Sequence, residues 1–277
     1  MSKREFGHHL KLNHIPSNSQ KHVAEHKFHA EKNSHLLKAI VYPDNLTLST
    51  NYDLQILDQG NIGSCVSNSF AGIVQSFTGM TPSRLYLYFN GLIGTGEDPR
   101  QDIGLDVLQA IPVFCKYGLT DESNWIYNEN KFGVLPPQLA YQNAIFDYTI
   151  TNTPINQTDA AIKAALTKGQ LVIFGMMIYT SFLSDAVAKT GIVPMPVVTK
   201  ETIEGGHCMH IVGWTTYKDV QYYIIRNSWG SGWGNNGDPI NPASHKGKKG
   251  GFCFIPSEYI LSDVLTFELV GVSIIKE

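Results

Sequence analysis

The segment Gln59-Gly60-Asn61-Ile62-Gly63-Ser64-Cys65 sets a thiol six residues after a side-chain amide, at the mouth of an expected helix. Two later segments complement it: Gly206-His207, opening an apolar strand, and Asn227-Ser228-Trp229-Gly230. Together they offer a nucleophile, a base, an amide to orient that base and a donor for a developing oxyanion. Those are the parts sulfur needs to attack a carbonyl. A thiol is a weak nucleophile near neutrality, with an unperturbed pKa of about 8.5. The unpaired N–H groups of a helix N-terminus and a nearby imidazolium both favour the thiolate. Ser64-Cys65 at a helix start brings the first influence, and His207 on a strand of the other half brings the second. Asn227, at a strand end, can accept the ring N–H of His207 and fix its tautomer. Trp229 can then cover that bond from water.

Each of these residues also has a plainer reading. Cysteine is often a small core residue, but the Gly63-Ser64 approach puts Cys65 at a helix start rather than mid-face. Cys115, Cys208 and Cys253 keep the structural reading, the first on a helix and the others on strands. Gly205-Gly206 lets the backbone come close to a ligand. His210, inside the run Cys208-Met209-His210-Ile211-Val212, reads as a satisfied core histidine.

These groups need a helix, two strands and a cleft. Val66, Phe70, Ile73, Val74 and Phe77 recur at helical spacing after Ser64 as N-cap, and Gly79 ends the helix. Thr81-Pro82 is expected to start a second helix, with Pro82 in its first turn. Leu105 to Tyr117 is a third, with Gly118 at C′. A short helix spans 159–168 with Thr158 as its cap. Strands are expected at Leu171–Tyr179, His207–Thr215, Gln221–Arg226, Gly251–Ile255 and Leu265–Ile275. Residues 51 to about 148 are therefore mainly helical, and the rest is β-rich. Gly237–Gly250, with three lysines, reads as a polar insertion between strands, safest taken as an exposed loop.

The chain has 277 residues, 43% of them hydrophobic, enough for a sizeable core in one large domain or two small ones. A net charge of −3 does not suggest nucleic acid as a partner. Residues 1–40 carry seven Lys/Arg against three Glu and hold seven of the ten histidines, so a basic arm precedes an acidic body. His22, His26 and His29 share one helical face; a metal site there would lack any Cys or Asp, and a pH-sensitive segment or a plain tail fits better. The first residues lack the apolar core of a signal peptide, and no run is long enough to cross a membrane. Four dispersed cysteines suit a reducing compartment. An intracellular site, or a virion if the source is viral, is the expected location.

On Gln59 to Cys65, Gly206-His207 and Asn227-Ser228-Trp229-Gly230-Ser231-Gly232-Trp233-Gly234, the chain resembles the papain (C1-type) family of cysteine peptidases from about Asp53 to Tyr259, a family whose spacing the general pattern describes. The resemblance implies an α+β fold of two lobes, a helical left lobe and a β-barrel-like right lobe, with the active-site cleft between them. It implies Cys65 as nucleophile, His207 as general base and acid, Asn227 as orienter and Gln59 as the oxyanion side chain. Trp229 becomes the shield of the site. Trp233, Gly206 and Gly104 become substrate-binding. The implied division is 1–45 as a pro-segment, 46–150 as the helical lobe with the nucleophile and 151–277 as the β-rich lobe with His and Asn. Ile62 and Val66 stand where the family usually has Cys and Trp, so the adjacent disulfide cannot form. Such disulfide-poor forms resemble cathepsin-like members of bacteria and large DNA viruses. No paired-His loop occurs between Phe77 and Asp102, so a carboxydipeptidase is not implied.

The expected activity is peptide-bond hydrolysis by an endopeptidase made as a zymogen, with the N-terminal arm as intramolecular inhibitor. A protein or peptide is the substrate, no metal or other cofactor is needed, and the chain acts as a monomer without membrane or nucleic acid. Two other readings stay open: a catalytically silent homologue that binds peptides or proteins, and a transpeptidase in which an amine replaces water.

Overall fold

The computed structural model describes residues 42–48, 54–235 and 250–277. The histidine-rich arm, the bulk of the expected pro-segment and nearly all of the 237–250 insertion lie outside those residues.

Helices come first. Helix α1 spans Cys65–Thr78, α2 Arg84–Gly94, α3 Val107–Tyr117 and the short α4 Gln138–Gln142. Gly79 closes α1 in the left-handed conformation that a Cβ would disfavour. Ser64 precedes α1 but makes no side-chain cap, because its hydroxyl is engaged with Tyr127 and Asn68. The second helix does not start at Pro82. Ser83 caps it by accepting from the Tyr86 N–H, while Pro82 bridges to Asp121. Asp106 caps α3 in the same way, through the N–H of Gln109.

The rest of the chain is a sheet with short helices against it. Its strands are β1 (Leu46–Thr47), β2 (Tyr148–Pro154), β3 (Leu171–Tyr179), β4 (Ile203–Tyr217), β5 (Val220–Arg226), β6 (Phe252–Pro256) and β7 (Thr266–Lys276). The antiparallel path runs β2-β7-β3-β4-β5-β6, with β1 on β4. Helices α5 (Asp159–Thr167), α6 (Asp185–Thr190) and α7 (Ser257–Leu261) fill the connections. The expected barrel-like sheet does not close: β2 and β6 end the path and do not pair with each other. A lobe boundary at 150 would cut through β2, which pairs with β7 along its whole length.

Both faces of the sheet are buried, which explains why β3 is apolar at nearly every position. One face meets the helices: Val66, Phe70, Ile73 and Phe114 pack with Ile173, Cys208, Val212 and Val270. The other face holds Met176, Met209, Ile211, Trp214, Tyr223 and Trp229 together with α5 and α7. Alternation along β4 therefore sends Cys208 and Val212 toward α1, and Met209 and Ile211 the other way. The helical and β halves thus share a core.

Two close approaches hold this packing. At Gly213 an added Cβ would lie 2.1 Å from the Leu46 carbonyl oxygen, so its absence lets β1 pair with β4. Tyr42 and Pro43 dock there too, through Tyr42 Oη to the Ala160 carbonyl and Trp214 Nε1 to the Pro43 carbonyl. Tyr42 and Pro43 thus contact the body of the fold. At Gly72 an added Cβ would meet the His210 ring at 2.9 Å, so α1 rests directly on β4. Gly72→Val is expected to cost about 1–3 kcal/mol by overpacking, read as a lowered denaturant midpoint. An unchanged midpoint would mean that α1 and β4 can part without loss.

Candidate active site

The loop from Asp58 to Ser64 leads into α1 and is pinned from several sides. Tyr127 Oη donates to the Gln59 carbonyl and receives the Ser64 hydroxyl, both at 2.7 Å. Asp102 accepts the Gly63 N–H at 2.8 Å, and Glu129 accepts the Asn61 N–H at 2.7 Å. Buried Arg84 donates to the Asp58 carbonyl and Asn68 Oδ1, pairs with Glu122 and lies over the Tyr127 ring. These contacts set the direction in which Cys65, the first residue of α1, enters the site.

His207 and Asn227 meet where β4 and β5 separate. The β4–β5 pairing begins at His210 opposite Arg226, so His207 lies upstream of it and Asn227 just past the end of β5. His207 Nε2 is 2.8 Å from Asn227 Oδ1. The same oxygen accepts the Ser228 N–H at 2.7 Å, which fixes the amide with its oxygen toward the ring. Trp229 stacks on His207 at 4.8 Å between centroids. Phe182 and Trp233 continue the aromatic cluster behind it.

The Asn227–Gly230 segment also joins the loop before α1. Gln59 N–H donates to the Ser228 carbonyl at 2.8 Å, and Gly230 N–H to the Leu57 carbonyl at 2.9 Å. Ser228 Oγ donates to Gln59 Oε1 at 2.7 Å. The Gln59 amide is thereby fixed, with one Nε2 hydrogen given to the Ile62 carbonyl and the other left for a further acceptor.

Cys65 and His207 are both buried. Burial pushes the Cys65 thiol up to about 11; the N–H groups of Cys208, Val66 and Cys65 itself pull it down, and the charge of Asp102 adds to the rise. The N–H of Cys208 therefore faces the sulfur, which sets Cys65 against the backbone of the residue after His207. All four cysteines are free. Among the described residues no group of three or more His, Cys, Asp or Glu is placed to hold a metal ion, and no helix is long and apolar enough to cross a membrane.

The remaining expected residues fall as follows. Gly206 is a buried residue of β4 opposite Met177. Gly104 is buried and donates its N–H to Tyr88 Oη at 3.0 Å, so that N–H faces the lobe interior rather than a substrate strand. Trp233 is 1% exposed and packed on Phe182 and Trp229. Ser228, Tyr127, Asp102 and Arg84 were not singled out from the sequence. Only Ser228 carried a signal, as the neighbour of Asn227; the other three are distant in sequence and meet the loop only through folding.

A helical half and an antiparallel sheet, with Cys, His and Asn gathered at their junction, define a papain-like protein. The family model described as papain family cysteine protease matches residues 48–239, and the chain belongs to that family. It is similar to an uncharacterised peptidase C1-like protein of Acanthamoeba polyphaga mimivirus, 37% identical over 201 residues, covering 66% of this chain and 63% of that protein. Its fold is similar to that of xylellain, a cysteine protease from Xylella fastidiosa, with a TM-score of 0.70 at 23% identity over 99% of this chain and 98% of that one. It is also similar to the proform of the ragweed cysteine protease Amb a 11, with a TM-score of 0.60 at 17% identity over 86% of this chain and 66% of that one. The matched regions span 54% to 63% of the length of the first curated relatives. The viral relative agrees with the disulfide-poor branch that the sequence resembles.

Asp102→Asn keeps an oxygen for the Gly63 N–H but removes the charge that raises the Cys65 thiol. The pH profile of Cys65 alkylation by iodoacetamide is expected to move to lower pH by a few tenths of a unit to about one unit. A profile that stays in place or moves upward would remove Asp102 from the electrostatics of the thiol.

Proposed function

We propose that this chain is a cysteine endopeptidase acting through Cys65 and His207. The observation that carries the reading is the 2.8 Å bond from His207 Nε2 to Asn227 Oδ1 beneath Trp229. With Nε2 engaged there, Nδ1 is the ring nitrogen that exchanges a proton with Cys65. The thiol passes its proton to His207, and the sulfur attacks a peptide carbonyl carbon. The oxyanion accepts from the second Nε2 hydrogen of Gln59 and from the Cys65 N–H. As the C–N bond breaks, His207 protonates the leaving amine. Water, deprotonated by His207, then cleaves the thioester and restores the thiol.

Burial raises the resting thiol, so the proton transfer depends on the imidazole and N–H groups that face the sulfur. In this reading the helical lobe carries the nucleophile and oxyanion side chain, and the β-rich lobe carries the base and its orienter. The chain works as a monomer on peptide substrate and needs no cofactor. A thiol-directed peptidyl epoxide is expected to label the activated wild-type chain once, at Cys65, and Cys65→Ser not at all. Masses of products from a peptide library would show internal cleavage. Absence of labelling and cleavage would favour a silent binder, and products joined to added amine would favour a transpeptidase.

The proposal extends to control. The segment from residue 1 to about 45 acts as an intramolecular inhibitor, supported by the basic charge of residues 1–40 against an acidic body and their seven histidines. Charging of the imidazoles in weak acid adds to that attraction; protonation of the facing carboxylates at lower pH removes it and loosens the arm. Full-length wild type is expected to shorten at its N-terminus after incubation at about pH 4, whereas Cys65→Ala stays full length. Equal stability of the two chains in acid would refute self-activation.

A further inference from the structure

Beside Asn227, between α1 and the β4–β5 junction, lies a small, partly enclosed cavity of about 10 Å³. Asn68, Ser69, Cys208, His210, Arg226 and Asn227 are among its lining residues. The volume is at the lower bound of what admits one water. Two side-chain atoms on its lining residues, His210 Nε2 and Asn227 Nδ2, are buried without a hydrogen-bond partner. Leaving such atoms unsatisfied is costly in a buried setting. His210 sits opposite Arg226 in the strand pairing, and Asn227 follows Arg226 directly. Nε2 points toward the helix wall, since a Cβ on Gly72 would come within 3.6 Å of it.

We infer that His210 is a positioning residue for Asn227, acting through a single water held in this cavity. This rests on the reading of Cys65, His207 and Asn227 as the reacting set. Asn227 Nδ2 donates to the water, and the water donates to His210 Nε2. The ring supplies the lone pair because it is neutral: burial, and then the Arg226 guanidinium, hold His210 well below the ordinary imidazole value. Its Nδ1–H donates to Ser69 Oγ at 3.1 Å, and the Ser69 hydroxyl donates to the Cys208 sulfur. The four N–H donors on the Nη atoms of Arg226 are committed elsewhere, to the Gly72 and Gln55 carbonyls, Ser76 and Gln75.

The relay gives Asn227 a second anchor. Oδ1 is held by the Ser228 N–H, and Nδ2 is held from the cavity, so the amide plane cannot swing away when His207 becomes charged. An imidazolium facing Oδ1 is stabilised only while the amide stays in place. Loss of the anchor therefore lowers the proton affinity of His207 and slows the step in which it protonates the leaving amine.

The test compares wild type, His210→Leu and His210→Gln as full-length chains activated in the same way. His210→Leu is expected to lower kcat about tenfold with little change in KM, as a small misplacement does, and to move the alkaline limb of the pH profile to lower pH. His210→Gln, which keeps an acceptor and a donor, restores most of both. A high-resolution crystal structure of wild type is expected to show one ordered water between Asn227 Nδ2 and His210 Nε2. A dry cavity, a folded His210→Leu chain with wild-type kcat and pH profile, or a Gln variant as impaired as the Leu variant would each overturn the inference. If wild type itself neither labels at Cys65 nor cleaves peptides, the peptidase reading fails instead, while the water between the two side chains still decides the positioning contact.

Discussion

The contact of α1 with β4 at Gly72 and His210 governs the geometry of the site. With no side chain on Gly72, the helix lies directly on the strand. Its first residue, Cys65, then reaches the N–H of Cys208 at the upstream end of β4. A helix held even a side chain's thickness away would carry the sulfur off the N–H of Cys208. Packing in the shared core, from Phe70 and Ile73 to Cys208 and Val212, sets that spacing. Because close-packed interiors deform little, the spacing is a fixed quantity rather than an average.

The second constraint is the joining of Asn227–Gly230 to Leu57–Gln59. Those backbone bonds link the residues that orient His207 to the loop that delivers Cys65. Ser228 bonds Gln59 with its hydroxyl and Asn227 with its N–H, so one residue sets the direction of two amides. Burial acts on this assembly in two ways. It strengthens the shielded His207–Asn227 bond beneath Trp229, and it raises the Cys65 thiol by withholding water from the thiolate. The N–H groups around the sulfur offset part of that rise.

Local signals in the chain were strong where one element decided the outcome. Gly79 and Gly118 end their helices, Asp159–Thr167 sits behind the Thr158 cap, and β3 matches its apolar run end to end. They were weaker where two partners competed. Pro82 suited a first helical turn, yet the Ser83 hydroxyl offered a cap and Asp121 a bridge. Strand β2 reads as polar and exposed along most of its length, and it exists because β7 supplies its hydrogen bonds. Gly104 fits a substrate surface by position, but Tyr88 Oη engages it inside the fold.

The sequence by itself determined the kinds of group at the site and their order: an amide and thiol before a helix, a histidine on an apolar strand, and an asparagine and tryptophan after the next. Those assignments follow from spacing, caps and turn residues, which are local properties. Only the tertiary structure decided how the groups face one another. The roles of Tyr127, Asp102, Arg84 and Ser228, the half-satisfied His210 and the raised Cys65 thiol all arise from contacts between residues far apart in the chain. Desolvation and hydrogen-bond direction depend on what folding brings close, and no local pattern carries that information.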